Sequence, residues 1–309
     1  MESRPAVGVA GLGRMGHPIA ANVLAARFPT FVWNRTPEKA RDLRERGATW
    51  VDTPRALAQS ADIVLTSLAD PAAVEEVYLG RDGLLDQVRP GITLVDLSTG
   101  SPTLSRRLAA AARERGAAFL DAPVAGSIKA ATDGQLGIMV GGDRAAFDLC
   151  ADLFAAIGKA AFYLGESGSG ATMKLVSNAI LATIVQSLAE GVALGEKAGL
   201  APEDIFAVLG ASSAAAPVVT AKATTISDRA YLPATFTLKL MQKDLWLALS
   251  LANELEVPMP ATAIAHDMVL AANATGKRAL DFSAVALLME ELAGAREPRN
   301  VDDHGSPAD

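Results

Sequence analysis

Short apolar and β-branched runs alternate with longer stretches of helical periodicity through the first half of the chain. AVGVAGLG gives way to MGHPIAANVLAARF, FVWN to TPEKARDLRERG, and DIVLTSL to PAAVEEVYLG. GITLVDLST then precedes SPTLSRRLAAAARERG, and AAFLDAPV follows. Strands alternating with helices of this length predict βαβ units and a parallel sheet. GQLGIMVGGD and AAFYLGE predict further strands, with RAAFDLCADLFAAIG as the helix between them.

After about residue 168 the strand pattern stops. Helices are predicted over 170–198, 202–210, 215–227, 236–256, 260–275 and 282–294. The first of these would extend roughly 40 Å at the rise of an α-helix, a length that suits an element joining two domains. The expected fold is an α/β N-terminal Rossmann domain with a mostly parallel sheet, over 1–167. A long interdomain helix joins it to an all-α C-terminal domain over 168–294. The polar residues 295–309, including EPRNVDDHGSPAD, are expected to form a frayed tail.

Composition narrows the partners. With half of its residues hydrophobic and 20% charged, the chain has the balance of a soluble globular protein. A net charge of -7 argues against non-specific nucleic-acid binding, which needs a basic surface. No run reaches the roughly 20 uninterrupted apolar residues of a membrane span, and MESRPAVGVAGLG lacks signal-peptide features. Cys150 is the lone cysteine, so an intrachain disulfide is impossible. A cytoplasmic protein is therefore expected. His17, His266 and His304 have no histidine or cysteine neighbour at ligand spacing, so no metal site is expected. The acidic pairs in VEEVY and MEELA read as solvated helix faces.

Gly11, Gly13 and Gly16 form GLGRMG between the strand VGVA and the helix HPIAANVLAA. That context is the one the dinucleotide fingerprint demands. Gly11 permits the tight turn, Gly13 lets backbone approach a pyrophosphate, and Gly16 lets helix pack on strand. The helix start offers free N–H groups to the phosphates. A nicotinamide site of the NAD type usually has an acidic residue about 20 positions on, bonding the ribose 2′-OH. Here Asn34, Arg35 and Thr36 follow the second strand, with no carboxylate until Glu38. A guanidinium there suits a 2′-phosphate, so NADP(H) is the expected cofactor.

A single lysine stands in GSGATMKLVSN. Gly170, Lys174 and Asn178 are spaced i, i+4, i+8 and share one helix face. Lys174 is either a snorkelling helix-end lysine or a proton donor in a closed pocket, with Asn178 placed to hold its ammonium. Gly168 and Gly170 are expected to keep the approach open for a ligand.

At this point the chain resembles the β-hydroxyacid dehydrogenase family, over roughly residues 6 to 294. GLGRMG with NRT matches the NADP-using cofactor site, so Leu12, Arg14 and Met15 join the three glycines, and Asn34, Arg35 and Thr36, in contact with cofactor. DLST resembles the strand end whose Thr99 lies by the nicotinamide ribose, and the resemblance adds Leu68, Ala69 and Val74 to the cofactor site. DAPVAGSIKAATDGQL resembles the substrate-binding signature, with Ala125, Gly126 and Ser127 taking the substrate carboxylate. GSGATMKLVSN matches the catalytic G-x-G-x-x-x-K-x-x-x-N. In FTLKLMQKDLWLA, Lys243 would touch cofactor, Asp244 would hold the cleft and Phe236 would lie near substrate.

The resemblance implies reversible reduction of a small carboxylated aldehyde to its hydroxy acid. Lys174 would be the general acid and Asn178 its orienting partner. The chemistry agrees, since an ammonium can protonate a developing alkoxide and no histidine stands in a suitable setting. One residue departs from the pattern: the family usually has serine where this chain has Ala125. Losing that donor removes a charge-assisted hydrogen bond, worth about 1.5–3 kcal/mol, for which Ser127 would compensate. GSIKAATDGQL and KDL lie nearest, by eye, to the glyoxylate/succinic semialdehyde reductases. The alternatives are an imine reductase, against which Lys174 argues, and a non-catalytic nucleotide-binding relative. A 6-phosphogluconate-type enzyme would need a His-Asn pair where this chain has LVSN. The apolar helices of the second half predict a homodimer or homotetramer.

Overall fold

The computed structural model of the chain describes residues 4–295. The N-terminal half runs β1 (Val7–Ala10), α1 (Gly16–Ala25), β2 (Thr30–Trp33), α2 (Arg41–Glu45), β3 (Thr49–Trp50), α3 (Pro54–Ser60), β4 (Ile63–Thr66) and α4 (Pro71–Leu79). It continues through β5 (Thr93–Asp96), α5 (Pro102–Arg113), β6 (Ala118–Asp121), β7 (Val124–Ala125), α6 (Ile128–Thr132), β8 (Leu136–Gly142), α7 (Arg144–Leu149), α8 (Ala151–Ile157) and β9 (Gly158–Tyr163). Helices follow: α9 (Ser169–Lys197), α10 (Pro202–Gly210), α11 (Pro217–Ser227), α12 (Leu238–Glu254), α13 (Pro260–Ala272) and α14 (Val285–Ala293).

The strands lie in the order β3-β2-β1-β4-β5-β6-β8-β7, with β9 paired to β8. From β3 to β6 every pairing is parallel; β8 then runs antiparallel to β6 and β7. Order reverses between β1 and β4, the topological switch point at which open α/β sheets bind ligands beyond their strand ends. The strands alternate their apolar side chains between two faces. Val7, Val9, Ile63, Leu65, Val95 and Leu120 pack in one core with Ile19 and Val23 of α1. Val64, Leu94 and Phe119 pack in the other with Leu57, Tyr78 and Leu108. A sheet apolar on both faces needs helices on both, which is why its strands read as nearly continuous hydrophobic runs.

The chain divides into two compact units between Ser177 and Asn178, inside α9. The second unit is helical. Val185, Leu188, Ala189 and Val192 of α9 form its core with Phe206, Leu238, Met241, Leu245, Val269 and Val285. By length and composition α9 could cross a membrane; half of its most apolar window is buried inside the protein.

Two expectations need correction here. Glu290 in MEELA is buried, 2% exposed, and pairs with Arg229; its neighbour Glu291 reaches Lys277 at 2.8 Å. Glu290 thus serves the helical interior, because Arg229 arrives from a distant segment to meet it, while Glu291 stays on the exposed face. Helix α13 also stops at Ala272, and a π-turn over Asn273–Lys277, with Gly276 at φ +87°, replaces its expected last turn. From residue 296 onward the expected tail lies outside the described residues.

Candidate active site

The turn after β1 is built as the glycine spacing predicts. Gly11 has φ +93°, and a Cβ there would lie 2.4 Å from the carbonyl oxygen of Ser67. A Cβ on Gly16 would lie 1.9 Å from the carbonyl oxygen of Gly11, so only glycine allows this helix entry. Beside Gly13 there is open space. Helix α1 starts with no side-chain cap and no acidic residue in its first turn, which leaves its positive end to an outside anion. Leu12 is buried, Met15 half-buried and Arg14 exposed.

Asn34 joins this turn to the end of β2. Its Oδ1 accepts the Leu12 N–H at 2.9 Å, and its Nδ2 donates to the Thr36 carbonyl at 2.9 Å. The side chain that stands where a ribose-binding acid would stand is therefore committed to backbone. Arg35 and Thr36 are exposed beside it. His17, the second residue of α1, lies 2.8 Å from Asp42, and that hydrogen bond holds the Asp42 carboxyl below the usual carboxylate range.

The ends of β4 and β5 share a buried network that sequence reasoning did not single out. Asp96 closes β5 and accepts from the Thr66 hydroxyl at 2.8 Å and from the Ser98 N–H at 3.0 Å. Since Thr66 gives its hydrogen to Asp96, Tyr78 donates to Thr66, at 3.1 Å. The Ser98 hydroxyl oxygen accepts the Leu68 N–H at 2.9 Å, tying the β4 loop to the loop that carries Thr99. Burial pushes the Asp96 carboxyl up to about 6, against the downward pull of its bonds to Ser98 and Thr66. Of the residues expected at the cofactor in this region, Thr99 and Leu68 are half-buried, Ala69 is exposed and Val74 is buried in α4.

Beyond β6, Ala125 ends the short strand β7 opposite Gly137 of β8. Gly126, at φ +143°, and Ser127 are exposed. Ser127 caps α6, its hydroxyl oxygen accepting the Ala130 N–H at 3.2 Å; this leaves its O–H hydrogen available to a ligand. The start of α9 is then tied to β6 by Asp121, whose carboxylate accepts the N–H groups of Gly168 and Ala171 at 2.7 and 2.8 Å. Gly170 proves to serve this packing and not an open ligand approach, and Gly168, at φ +96°, is crowded by Arg106 and Pro102 of α5. A Cβ on Gly170 would lie 2.3 Å from the carbonyl oxygens of both Asp121 and Met139. Lys174 follows in the second turn, half-buried.

In the helical unit Asn178 is 4% exposed, and its Nδ2 donates to Asp244 at 2.6 Å. Asp244 also lies 2.7 Å from the Lys243 ammonium. With its nitrogen committed, Asn178 presents its amide oxygen as an acceptor. Phe236 is half-buried and makes an edge contact with Phe282, ring centroids 5.8 Å apart. No signal in the sequence marked Asp121 or Asp96 beyond an aspartate at the end of each strand, in DAPV and DLST.

In both halves, this chain matches families of nicotinamide-dependent oxidoreductases. Residues 6–165 match the family described as the NAD binding domain of 6-phosphogluconate dehydrogenase. Residues 168–289 match that described as NAD-binding of NADP-dependent 3-hydroxyisobutyrate dehydrogenase. The chain belongs to the β-hydroxyacid dehydrogenase family. It is 37% identical over 279 residues to glyoxylate/succinic semialdehyde reductase 1 of Arabidopsis thaliana, an alignment covering 90% of this chain and 96% of the relative. The cytokine-like nuclear factor N-PAC of Xenopus tropicalis is 35% identical over 279 residues, covering 90% of this chain and 52% of that protein. Among solved structures, the 3-hydroxyisobutyrate dehydrogenase of Mycobacterium tuberculosis with L-serine superposes with a TM-score of 0.84 at 29% identity, covering 93% of this chain and 99% of that one. The protein is an oxidoreductase of the hydroxyacid dehydrogenase type with a nicotinamide cofactor.

Proposed function

We propose that this protein is an NADPH-dependent reductase that interconverts a small carboxylated aldehyde, of the semialdehyde or glyoxylate type, and its hydroxy acid. The observation that carries the reading is Lys174. It stands on a helix anchored to the ligand-binding edge of the sheet through Asp121, one turn before an asparagine whose amide is oriented by Asp244. A surface lysine needs no such setting. The name of the Arabidopsis relative supports the substrate class.

Arg35 and Thr36 favour the 2′-phosphate of NADPH, since Asn34 is occupied by backbone and no carboxylate precedes Glu38. Bound across the β1–β4 switch point, the cofactor supplies hydride. Lys174 donates a proton to the carbonyl oxygen as negative charge builds there, and takes it back in oxidation. Asn178 accepts from the ammonium through its amide oxygen. Backbone N–H groups at Gly126 and Ser127, with the Ser127 hydroxyl, receive the substrate carboxylate where Ala125 offers no donor. Phe236, Lys243 and Asp244 keep the binding roles that the resemblance gives them.

The assembly in this reading is a homodimer or homotetramer. Met173, Val176, Ile180 and Leu194 leave an exposed apolar stripe along α9, which a second copy would cover.

The deciding experiment follows NADPH consumption with glyoxylate, succinic semialdehyde, tartronate semialdehyde and methylmalonate semialdehyde, with a cyclic imine as control. Lys174→Ala should lower turnover about 10²–10⁴-fold with NADPH binding retained. Lys174→Arg should rescue little, because guanidinium hardly releases its proton. If the alanine variant kept more than about a tenth of turnover, less than about 1.4 kcal/mol of barrier would depend on the lysine, and the reading falls. A relative named as a nuclear factor and not as an enzyme leaves a second reading, a non-catalytic nucleotide-binding relative. NADPH binding with no aldehyde consuming it would select that one.

A further inference from the structure

Asp121 is the last residue of β6 and is 1% exposed. One carboxylate oxygen accepts from Gly168 at 2.7 Å and the other from Ala171 at 2.8 Å, residues 47 and 50 positions further along the chain. Burial pushes this carboxyl up, and the two N–H groups draw it back down, so the bonds are strongest with the carboxylate charged. Glycines clear the ground around it. A Cβ on Gly141 would lie 2.9 Å from Asp121 Oδ1, and one on Gly170 only 2.3 Å from the Asp121 carbonyl oxygen. The first turn of α9 therefore sits directly on the strand ends, with Lys174 three residues beyond the second anchored amide.

Asp96 lies opposite Asp121 in the β5–β6 pairing. Through Thr66 and Ser98 it secures the loop that leads to Thr99. The helix carrying Lys174 and the loop carrying Thr99 are thus each held by a buried carboxylate on adjacent, hydrogen-bonded strands. Strands in a sheet give a stiffer reference than loops do.

We infer that Asp121 is a positioning residue for proton transfer: by anchoring the start of α9 it sets where the Lys174 ammonium stands. The inference rests on Lys174 being the proton donor. Asp121 does not touch substrate or cofactor in this role; it acts through the helix.

The test is a double-mutant cycle in the full-length protein, read by kcat, by NADPH affinity and by thermal unfolding. Asn keeps the size of Asp but turns an NH₂ donor toward one of the two N–H groups. Asp121→Asn should lower kcat about tenfold to a hundredfold, the scale of an ångström misplacement. NADPH affinity should stay within about threefold, since the glycine turn on β1 is untouched. In the Lys174→Ala background the same substitution should change the residual rate by less than about threefold, because no lysine remains to be misplaced. Gly170→Ala moves the same turn with the carboxylate intact. It should reproduce the kcat loss and be equally silent without the lysine, and it carries the test if Asp121→Asn does not fold. A folded Asp121→Asn with kcat near wild type overturns the inference. So does a loss that carries over in full to the Lys174→Ala background, as a purely structural carboxylate would give. Failure of the lysine reading is distinguishable, because it appears in Lys174→Ala alone.

Discussion

Asp96 shows how one side chain ties stability to pH. Its carboxyl is pushed up to about 6 in the folded protein, from an ordinary 3.8, chiefly by burial. The folded state thus holds the proton more tightly than the unfolded chain does. The stabilisation from this protonation is full below about pH 4 and is lost as pH rises through about 6. Asp96→Asn keeps the acceptor for Thr66 and Ser98 but does not titrate. From pH 4 to 7 the variant should gain on wild type by up to about 3 kcal/mol, since each tenfold difference in proton affinity is worth about 1.4 kcal/mol. Denaturant titrations of both proteins at each pH measure this; a gap that stays constant would mean Asp96 is not the titrating group. At the cofactor turn, Arg35→Asp should shift preference from NADPH toward NADH, mostly in the Michaelis constant. A wild-type enzyme using NADH as efficiently as NADPH would remove the basis for that expectation. GLGRMG was legible because its spacing marks it, whereas Lys174 was singled out as a lone charge in an apolar stretch and given its role by the family resemblance. Asp121 and Asp96 were not, because an aspartate ending a strand looks like any turn residue until its partners fold alongside.

Among elements, the long helices were legible, while short ones were read only inside longer helical runs, α2 within TPEKARDLRERG and α7 with α8 as the single run RAAFDLCADLFAAIG. The runs predicted over 170–198 and 202–210 appear as Ser169–Lys197 and Pro202–Gly210. The pair β3 and α3 and the pair β7 and α6 were not read as elements. A two-residue strand such as β3 takes its register from β2 and shows no alternation of its own. Helices of five to seven residues are too short to repeat a 3.6-residue pattern. Caps carry the signal that periodicity lacks: Thr53 accepts the Ala56 N–H at the start of α3. At the start of α4, Asp70 accepts the Ala73 N–H at 2.9 Å, while Glu75 on the same helix pairs with Arg107 across a half-exposed surface. Asp70→Ala should cost about 1 kcal/mol of stability, whereas Glu75→Gln should cost less than about 0.5 kcal/mol. Chemical unfolding of the two variants compares them directly, and an equal loss would refute this ranking of cap over ion pair.

At the scale of the whole molecule the apolar stripe on α9 makes the assembly testable. Light scattering at micromolar concentration should give a mass of two or four times the 31.9 kDa chain. Ile180→Asp, at a side chain 57% exposed in the isolated chain, should shift that mass toward the monomer. A wild-type monomer would end the proposal. The sequence by itself determined the class of each half, since periods of two and of 3.6 residues are local properties that survive without any tertiary context. It determined the nucleotide turn and singled out the lysine for the same reason. Only the tertiary structure decided that β8 runs against β6, that Glu290 is buried beside Arg229, and that Gly170 exists for contact with β6 and β8. Each of these depends on residues tens of positions apart. Burial and hydrogen bonding between them arise when the chain closes on itself, and no local pattern records which distant partner a buried charge will meet.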